Sequence, residues 1–396
     1  MLNETPHVVQ ISFFVDPQRR APTRLLRDWP TLVDVAESAQ RGGVRVSVVQ
    51  ACSHTEKLTC NGVDYHFFAA DPTASTVGTT KGLDRLIHSL KADVFHVHGL
   101  GFPADVGALA DIAPDTPILL QDHADRMPRI WRRRAARRAF ALASGVAFCA
   151  REQSEPWRAA GLIGQATEIY EIAESSSRFQ PGHQAEARAR TALTGDPCLL
   201  WVGHLNANKD PLTVLDGVSE AVRKLPDLQL WCCFGTAPMR TQVIRRIERD
   251  PRLTGRVHLL GRIAHAEIES FMRAADIFVQ GSHREGSGYA LLEALACGLA
   301  PVVTDIPSFR SLTGQGAVGR LWPCGDAHEL SNSLLCMASQ PRAALRAEVR
   351  AHFDRGLSFD ALGRRLAETY QRLLNHQPGL VRAQRLRPAA GRPSPV

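Results

Sequence analysis

The sequence predicts an α/β protein of two domains, each a doubly wound parallel sheet, and three observations carry that expectation. The chain has 396 residues, long for one domain and ordinary for two. Short apolar, β-branched runs alternate with longer stretches of helical spacing, the rhythm of βα units. That rhythm occurs twice, on either side of a polar stretch without a clear strand.

In the first series HVVQISFFV reads as a buried strand, followed by helical TRLLRDWPTLVDVAESAQRGG. The runs VRVSVVQ, VDYHFFA, DVFHVHG, TPILLQDH and GVAFCA then supply further strands. The polar segment YEIAESSSRFQPGHQAEARARTALTGDP, residues 170–197, places the linker at its start. In the second series CLLWVG, LQLWCCFG, RVHLLG, DIFVQGS, APVVTD and AVGRLWP are the strand candidates, with helices from Asp210-Pro211, in GYALLEALACG and in DAHELSNSLLCMAS. The expected division is 1–170 for the N-terminal domain and 171–356 for the C-terminal domain. A last helix over 357–376 is expected to pack back on the N-terminal domain. The Pro-, Gly- and Arg-rich residues 377–396 read as a disordered tail.

Composition excludes several classes. With 44% hydrophobic and 22% charged residues, the chain reads as an ordinary globular protein, and no apolar run reaches membrane-spanning length. The N-terminus has no basic segment before its apolar run, so no signal peptide is expected and a cytoplasmic location is the default. Nine cysteines show neither C-x-x-C nor zinc spacing, which argues against a disulfide framework or a structural metal. A net charge of +7 suits an anionic partner without choosing among nucleotide, nucleic acid and membrane.

The residues with chemistry gather in HREGSGYALLEALACG, residues 283–298. Because DIFVQGS is a strand and GYALLEALACG a helix, HREGSG is the loop at the carboxyl end of a parallel strand, where ligands bind in such sheets. Gly286 and Gly288 allow close backbone approach, and the helix behind them directs free N–H groups and its positive dipole end at an anion. Glu293 falls in the second turn among Leu291, Leu292, Ala294 and Leu295, where an ionised carboxylate requires partners. Arginine or a backbone donor is one candidate and a ligand the other.

The pair Glu285-x7-Glu293 within EGSGYALLEALACG, preceded by Ser282 and followed by PVVTD, resembles the E-x7-E signature of retaining GT-B glycosyltransferases, particularly glycosyltransferase family 4. The resemblance implies the GT-B fold, two Rossmann-like domains facing each other across a cleft, with the nucleotide sugar held mainly by the second. It implies that Glu293 binds the donor ribose hydroxyls, that Glu285 lies beside the transferring sugar, and that Gly286, Ser287, Gly288 and Tyr289 offer backbone amides to sugar hydroxyls. It also implies that an unliganded Glu293 is under-satisfied.

CLLWVGHLNANKDPLTVL looks like the family's diphosphate-holding segment, with Lys209 at its lysine, His204 where arginine is more frequent and Asp210 where glycine is usual. A fixed cation there stabilises a leaving diphosphate. Gly235, in GTAP after LQLWCCF, resembles another phosphate-side loop, and Arg262 and Ile263 after RVHLLG fall where the nucleobase passes. His123, in LLQDHADR, stands where related enzymes carry a histidine near the donor sugar, and of His96 and His98 one is expected in the core and one toward the cleft. The family's glycine-rich loop after the first strand is absent, with PQRRAPTRLL in its place.

No Asp-x-Asp occurs in the sequence, so the resemblance implies metal-independent transfer with no cofactor beyond the nucleoside-diphosphate-sugar donor. The acceptor, whether glycan, lipid or small molecule, is not readable. On this resemblance the acceptor attacks from the face the diphosphate leaves, and neither glutamate is the covalent nucleophile of retaining glycosidases. Gly314-Gln-Gly-Ala-Val-Gly319 satisfies G-x-G-x-x-G, but a strand follows it instead of a helix, so it reads as a turn. Seven arginines between Arg126 and Arg138, with Trp131 among them, read either as a solvated helix or as a peripheral membrane-surface patch. Two rival readings stand beside transfer. One is a GT-B sugar-nucleotide epimerase or phosphorylase. The other is a non-catalytic nucleotide- or nucleic-acid-binding protein, which the lack of nucleic-acid motifs disfavours.

Overall fold

The computed structural model describes residues 5–70 and 82–375. The tail expected over 377–396 lies outside the described residues. Two compact units emerge: residues up to 174 together with those from 362 onward, and residues 175–361.

The first unit is built on eight strands: β1 (His7–Ser12), β2 (Arg45–Cys52), β3 (Glu56–Cys60), β4 (Val63–Ala69), β5 (Val94–His98), β6 (Ile118–Gln121), β7 (Gly145–Phe148) and β8 (Glu168–Glu171). Their order is β3-β4-β2-β1-β5-β6-β7-β8. All neighbours pair parallel except β3, which runs antiparallel to β4 at the edge. The sequence reading missed β3 because EKLTC is half polar and largely exposed, as an edge strand can be. It also placed the linker too early. Tyr170 and Glu171 belong to β8, paired with Ala147 and Phe148 of β7, and the chain passes to the second unit only after Glu174. The reason is local: in EIYE only Ile169 and Tyr170 are buried, so a short edge strand reads as polar loop.

The second unit carries β9 (Cys198–Val202), β10 (Gln229–Cys233), β11 (Val257–Gly261), β12 (Ile277–Gln280), β13 (Ala300–Thr304) and β14 (Arg320–Trp322). They form a fully parallel sheet in the order β11-β10-β9-β12-β13-β14. Leu199, Leu200, Phe278, Val302 and Trp322 are wholly buried, as both faces of a covered parallel sheet require. The G-x-G-x-x-G glycines form a turn between the helix Pro307–Leu312 and β14. The arginine-rich segment forms a 3₁₀ turn, Ile130–Arg132, and a helix, Arg133–Phe140. No helix among the described residues is long and apolar enough to cross a membrane.

Strand order positions the sites. In the second sheet the chain winds outward in one direction from β9 to β10 and β11, and in the other from β12 to β13 and β14. The loops leaving the carboxyl ends of β9 and β12 therefore diverge, which opens a crevice at this switch point. In the first sheet the corresponding point lies between β1 and β5.

Candidate functional site

The two diverging loops of the second unit are stitched together. After β9 the chain forms a 3₁₀ turn, Ala207–Lys209, capped by the Asn206 side chain, which accepts from the Lys209 amide at 3.0 Å. After β12 the His283 amide donates to the Asn208 carbonyl at 2.8 Å, and the Asn208 side-chain amide donates to the Arg284 carbonyl at 2.9 Å. A Cβ on Gly281 would crowd the carbonyl oxygens of Lys209 and Asp210 at 3.1 and 3.2 Å and the Val214 side chain at 2.9 Å, so glycine eases this approach. Across the seam Lys209 Nζ meets Glu285 Oε1 at 2.5 Å, both side chains about one-seventh exposed. Of the three residues proposed for the chemistry on sequence grounds, Lys209, Glu285 and His123, the first two are thus direct partners.

Asp210 stands where the resemblance offers glycine, and the backbone explains both. Its φ is +47°, in the left-handed region that glycine enters freely and aspartate tolerates. The aspartate adds a cap: its carboxylate accepts from the Thr213 amide at 3.3 Å at the start of the helix Pro211–Ala221 and meets His283 Nε2 at 3.1 Å.

His204 follows β9 on the other side of the crevice. The Thr236 amide donates to its Nδ1 at 3.1 Å, so that nitrogen carries no proton and Nε2–H is the available donor of the neutral ring. A Cβ on Gly235 would lie 3.3 Å from the His204 ring and 3.9 Å from the Arg262 guanidinium. His204, Gly235 and Arg262 are therefore neighbours, and the exposed Arg262 is followed by half-buried Ile263.

Gly286, Ser287 and Gly288 lead into the helix Tyr289–Ala296. Gly288 is its cap, at φ +66°, with a Cβ position 2.8 Å from the Phe309 ring. Ser287 is buried, and Tyr289 is 38% exposed. Below this loop the buried Ser282 carbonyl accepts from Thr304 Oγ1 at 2.5 Å, while Ser282 Oγ has no hydrogen-bond partner among the described residues.

Glu293 departs from expectation. It is not under-satisfied: His265 Nε2 lies 2.5 Å from its Oε1. Hydrogen bonding to Glu293 raises the His265 pKa, burial opposes it, and the carboxylate charge adds to the rise. No local spacing points to this partner, which arrives from the first turn of the helix His265–Ala274, 28 residues away.

In the first unit His123 follows β6, and both its ring nitrogens are engaged. Nδ1 meets Glu174 Oε2 at 3.1 Å, and Nε2 meets His98 Nδ1 at 3.0 Å. Burial opposes protonation of His123, but the hydrogen bond and charge of Glu174, with Asp125 and Asp122, raise its pKa overall. Burial, then the charges of His96 and His123, hold His98 well below the usual histidine range. The backbone is fixed by Asp125, which accepts from the Leu100 and His123 amides at 2.7 and 3.1 Å. Asp122 beside it is pushed up to about 6, chiefly by burial. His96 is the core member of its pair, fully buried against the Tyr370 hydroxyl at 2.8 Å. His98 is the other member of the pair weighed from sequence, whereas Glu174 was not singled out there as a site residue. Their contacts join the end of β5 and the loop after β8 to the loop after β6, and no local spacing encodes that.

The solved structures that share this architecture include a glycosyltransferase from Rickettsia africae, with TM-score 0.69, 13% identity, and coverage of 94% of this chain and 100% of the other. They also include Anabaena HepE in complex with UDP, with TM-score 0.66, 17% identity, and coverage of 92% and 100%. The fold class is thus GT-B. A GDP-mannose:cellobiosyl-diphosphopolyprenol alpha-mannosyltransferase from Xanthomonas campestris is 26% identical over 238 residues, 57% of this chain. This chain spans 60% of that relative's length. Residues 183–352, the segment that supplies Lys209, Glu285, His265 and Glu293, match the family model of glycosyl transferases group 1.

Proposed function

We propose that the protein is a retaining, metal-independent glycosyltransferase that moves a sugar from a nucleoside-diphosphate sugar to an acceptor hydroxyl. The contact between Lys209 and Glu285 at the switch-point crevice carries this reading. As the glycosidic bond breaks, negative charge develops on the departing diphosphate, and Lys209, held by the capped turn, is the fixed cation for it. His204 adds a neutral Nε2–H donor on the phosphate side. The amides of Gly286, Ser287, Gly288 and Tyr289 at a helix N-terminus suit sugar and phosphate oxygens. Glu293 receives the ribose hydroxyls, and the backbone near Arg262 and Ile263 meets the base.

Glu285 serves as an electrostatic neighbour of the transferring sugar. Its pairing with Lys209 lowers its nucleophilicity, which fits a mechanism in which the acceptor attacks on the face the diphosphate leaves and the departing phosphate oxygen takes the acceptor proton. His123, neutralised by Glu174, contributes to the sugar side of the first unit.

The acceptor is proposed to be lipid-linked, with the protein at an anionic membrane surface. Ile130 and Trp131 are 77% and 72% exposed, between arginines that make no ion pair with a carboxylate among the described residues. Exposed tryptophan and isoleucine ringed by arginine suit the interface of an anionic bilayer. The Xanthomonas relative is named for a diphosphopolyprenol-linked acceptor, which agrees with this choice.

The test is donor turnover. Thermal-shift screening with UDP, GDP, ADP and TDP sugars selects the donor by stabilisation, and product analysis with lipid-linked and free sugars then follows. A protein stabilised by no nucleotide sugar, or one that turns over its donor to an epimer without an acceptor, overturns the reading.

A further inference from the structure

We propose that His265 is a proton-operated cap on Glu293, which a nucleotide must displace to reach the carboxylate. The inference rests on the reading of Glu293 as the ribose-binding group. It stands on geometry. The Glu293 side chain is 14% exposed and His265 68% exposed, so the imidazole covers the carboxylate from the solvent side. The distance of 2.5 Å between Nε2 and Oε1 leaves no room for a hydroxyl between them. The other side of the His265 ring stacks on Phe179, with centroids 5.2 Å apart and planes at 30°. That uncharged platform holds the imidazole in place without competing for its proton.

The charged surroundings single out one partner. From the helix Tyr289–Ala296 the group facing His265 is Glu293. On its own helix, Glu269 is taken up by Arg273 at 2.7 Å and by the Gln180 amide at 2.7 Å. Arg262, on the loop before the helix, is exposed to solvent. From the 175–183 segment the contact is Phe179. The helix N-terminus at His265 disfavours an imidazolium, while the Glu293 contact favours it and outweighs burial.

The linkage then has a definite sign. With the cap closed, the imidazolium is stabilised by Glu293. Ribose hydroxyls are neutral, so when they replace His265 on the carboxylate the imidazole loses that stabilisation and gives up its proton to solvent. Nucleotide binding therefore releases a proton, and affinity rises with pH across the interval between the closed-cap and open-cap values. The steepest possible slope is about tenfold per pH unit for one proton.

Calorimetry with UDP and GDP at pH 6, 7 and 8, in buffers of different ionisation enthalpy, tests the cap on the full chain. The diphosphate also titrates in this range, so the readout is the difference between wild type and variants. Wild type is expected to release more protons at pH 6 to 7 than His265→Ala, and to lose about threefold to tenfold more affinity on going from pH 8 to pH 6. His265→Ala should bind at least as tightly as wild type at pH 8 and more tightly at pH 6. His265→Gln, which donates without titrating, should show the same reduced pH response as His265→Ala. Weaker binding by His265→Ala at every pH, or a pH response equal to that of wild type, overturns the cap while leaving the nucleotide site intact. Absence of nucleotide binding by wild type and variants alike overturns the nucleotide reading, and the cap with it.

Discussion

Lys209 and Glu285 are partners in the free protein at 2.5 Å, so a substitution at this contact acts on the chemistry and one at Glu293 on binding. Lys209→Ala removes the cation from the leaving group and takes the Lys209 ammonium away from a mostly buried carboxylate. Its expected effect is a loss of about 100- to 1,000-fold in kcat, with nucleotide affinity reduced much less. Near-normal turnover in a folded Lys209→Ala protein would refute the leaving-group role. Glu293→Ala should behave in the opposite way, weakening nucleoside-diphosphate binding by about tenfold or more through loss of charge-assisted hydrogen bonds. Calorimetry separates the two. His123 offers a third residue-scale test. Its pKa is raised against burial by Glu174, so the stabilisation from this pair is fully present below the unfolded histidine value, near 6.5, and fades as pH rises through the folded value. Histidine-selective NMR should place the His123 midpoint above that value in wild type and shift it down in Glu174→Gln. A midpoint that Glu174→Gln leaves in place would show that the carboxylate does not hold the proton.

At the scale of elements, the crevice depends on glycine and cap positions as much as on charged side chains. Gly288 enters the helix Tyr289–Ala296 at φ +66°, with Phe309 against its Cβ position. Gly288→Ala is expected to cost about 2–4 kcal/mol from left-handed strain and overpacking and to lower turnover by tilting the loop amides. Chemical denaturation followed by the tryptophans reads the first effect, and a donor assay the second. Much of this element was legible beforehand. The βα rhythm placed HREGSG at a strand's carboxyl end, and the strand after GQGAVG distinguished a turn from a dinucleotide fingerprint. What was not legible came from long-range packing. The Glu285 partner lies 76 residues away and the Glu293 partner 28 residues away, so the sequence could pose the need for a partner but not name it. Edge strands β3 and β8 were missed because one exposed side erases the apolar run that marks a central strand.

At the scale of the whole molecule, the chain leaves the first unit after Glu174 and returns at Leu362. The last described helix, Phe359–Asn375, therefore supplies core to strands encoded some 300 residues earlier. Leu362, Leu366, Tyr370 and Leu373 are each at most 2% exposed, and they pack with Val8, Val46 and Leu119. Two glycines make this possible: Gly363 lies directly against the Ser38 carbonyl and the Gly42 amide, at the end of the helix Pro30–Arg41. A Cβ at either position would overlap backbone, which cannot rotate aside. Gly363→Ala should therefore lift the last helix and cost about 1–3 kcal/mol or more, while Lys209, Glu285 and Glu293 keep their own core. Hydrogen exchange read by peptide resolves the effect by location. Faster exchange is expected in β1, β2 and the helix Phe359–Asn375, with β9 and β12 unchanged. Equal acceleration in both sheets would show that the two cores do not respond separately to the last helix.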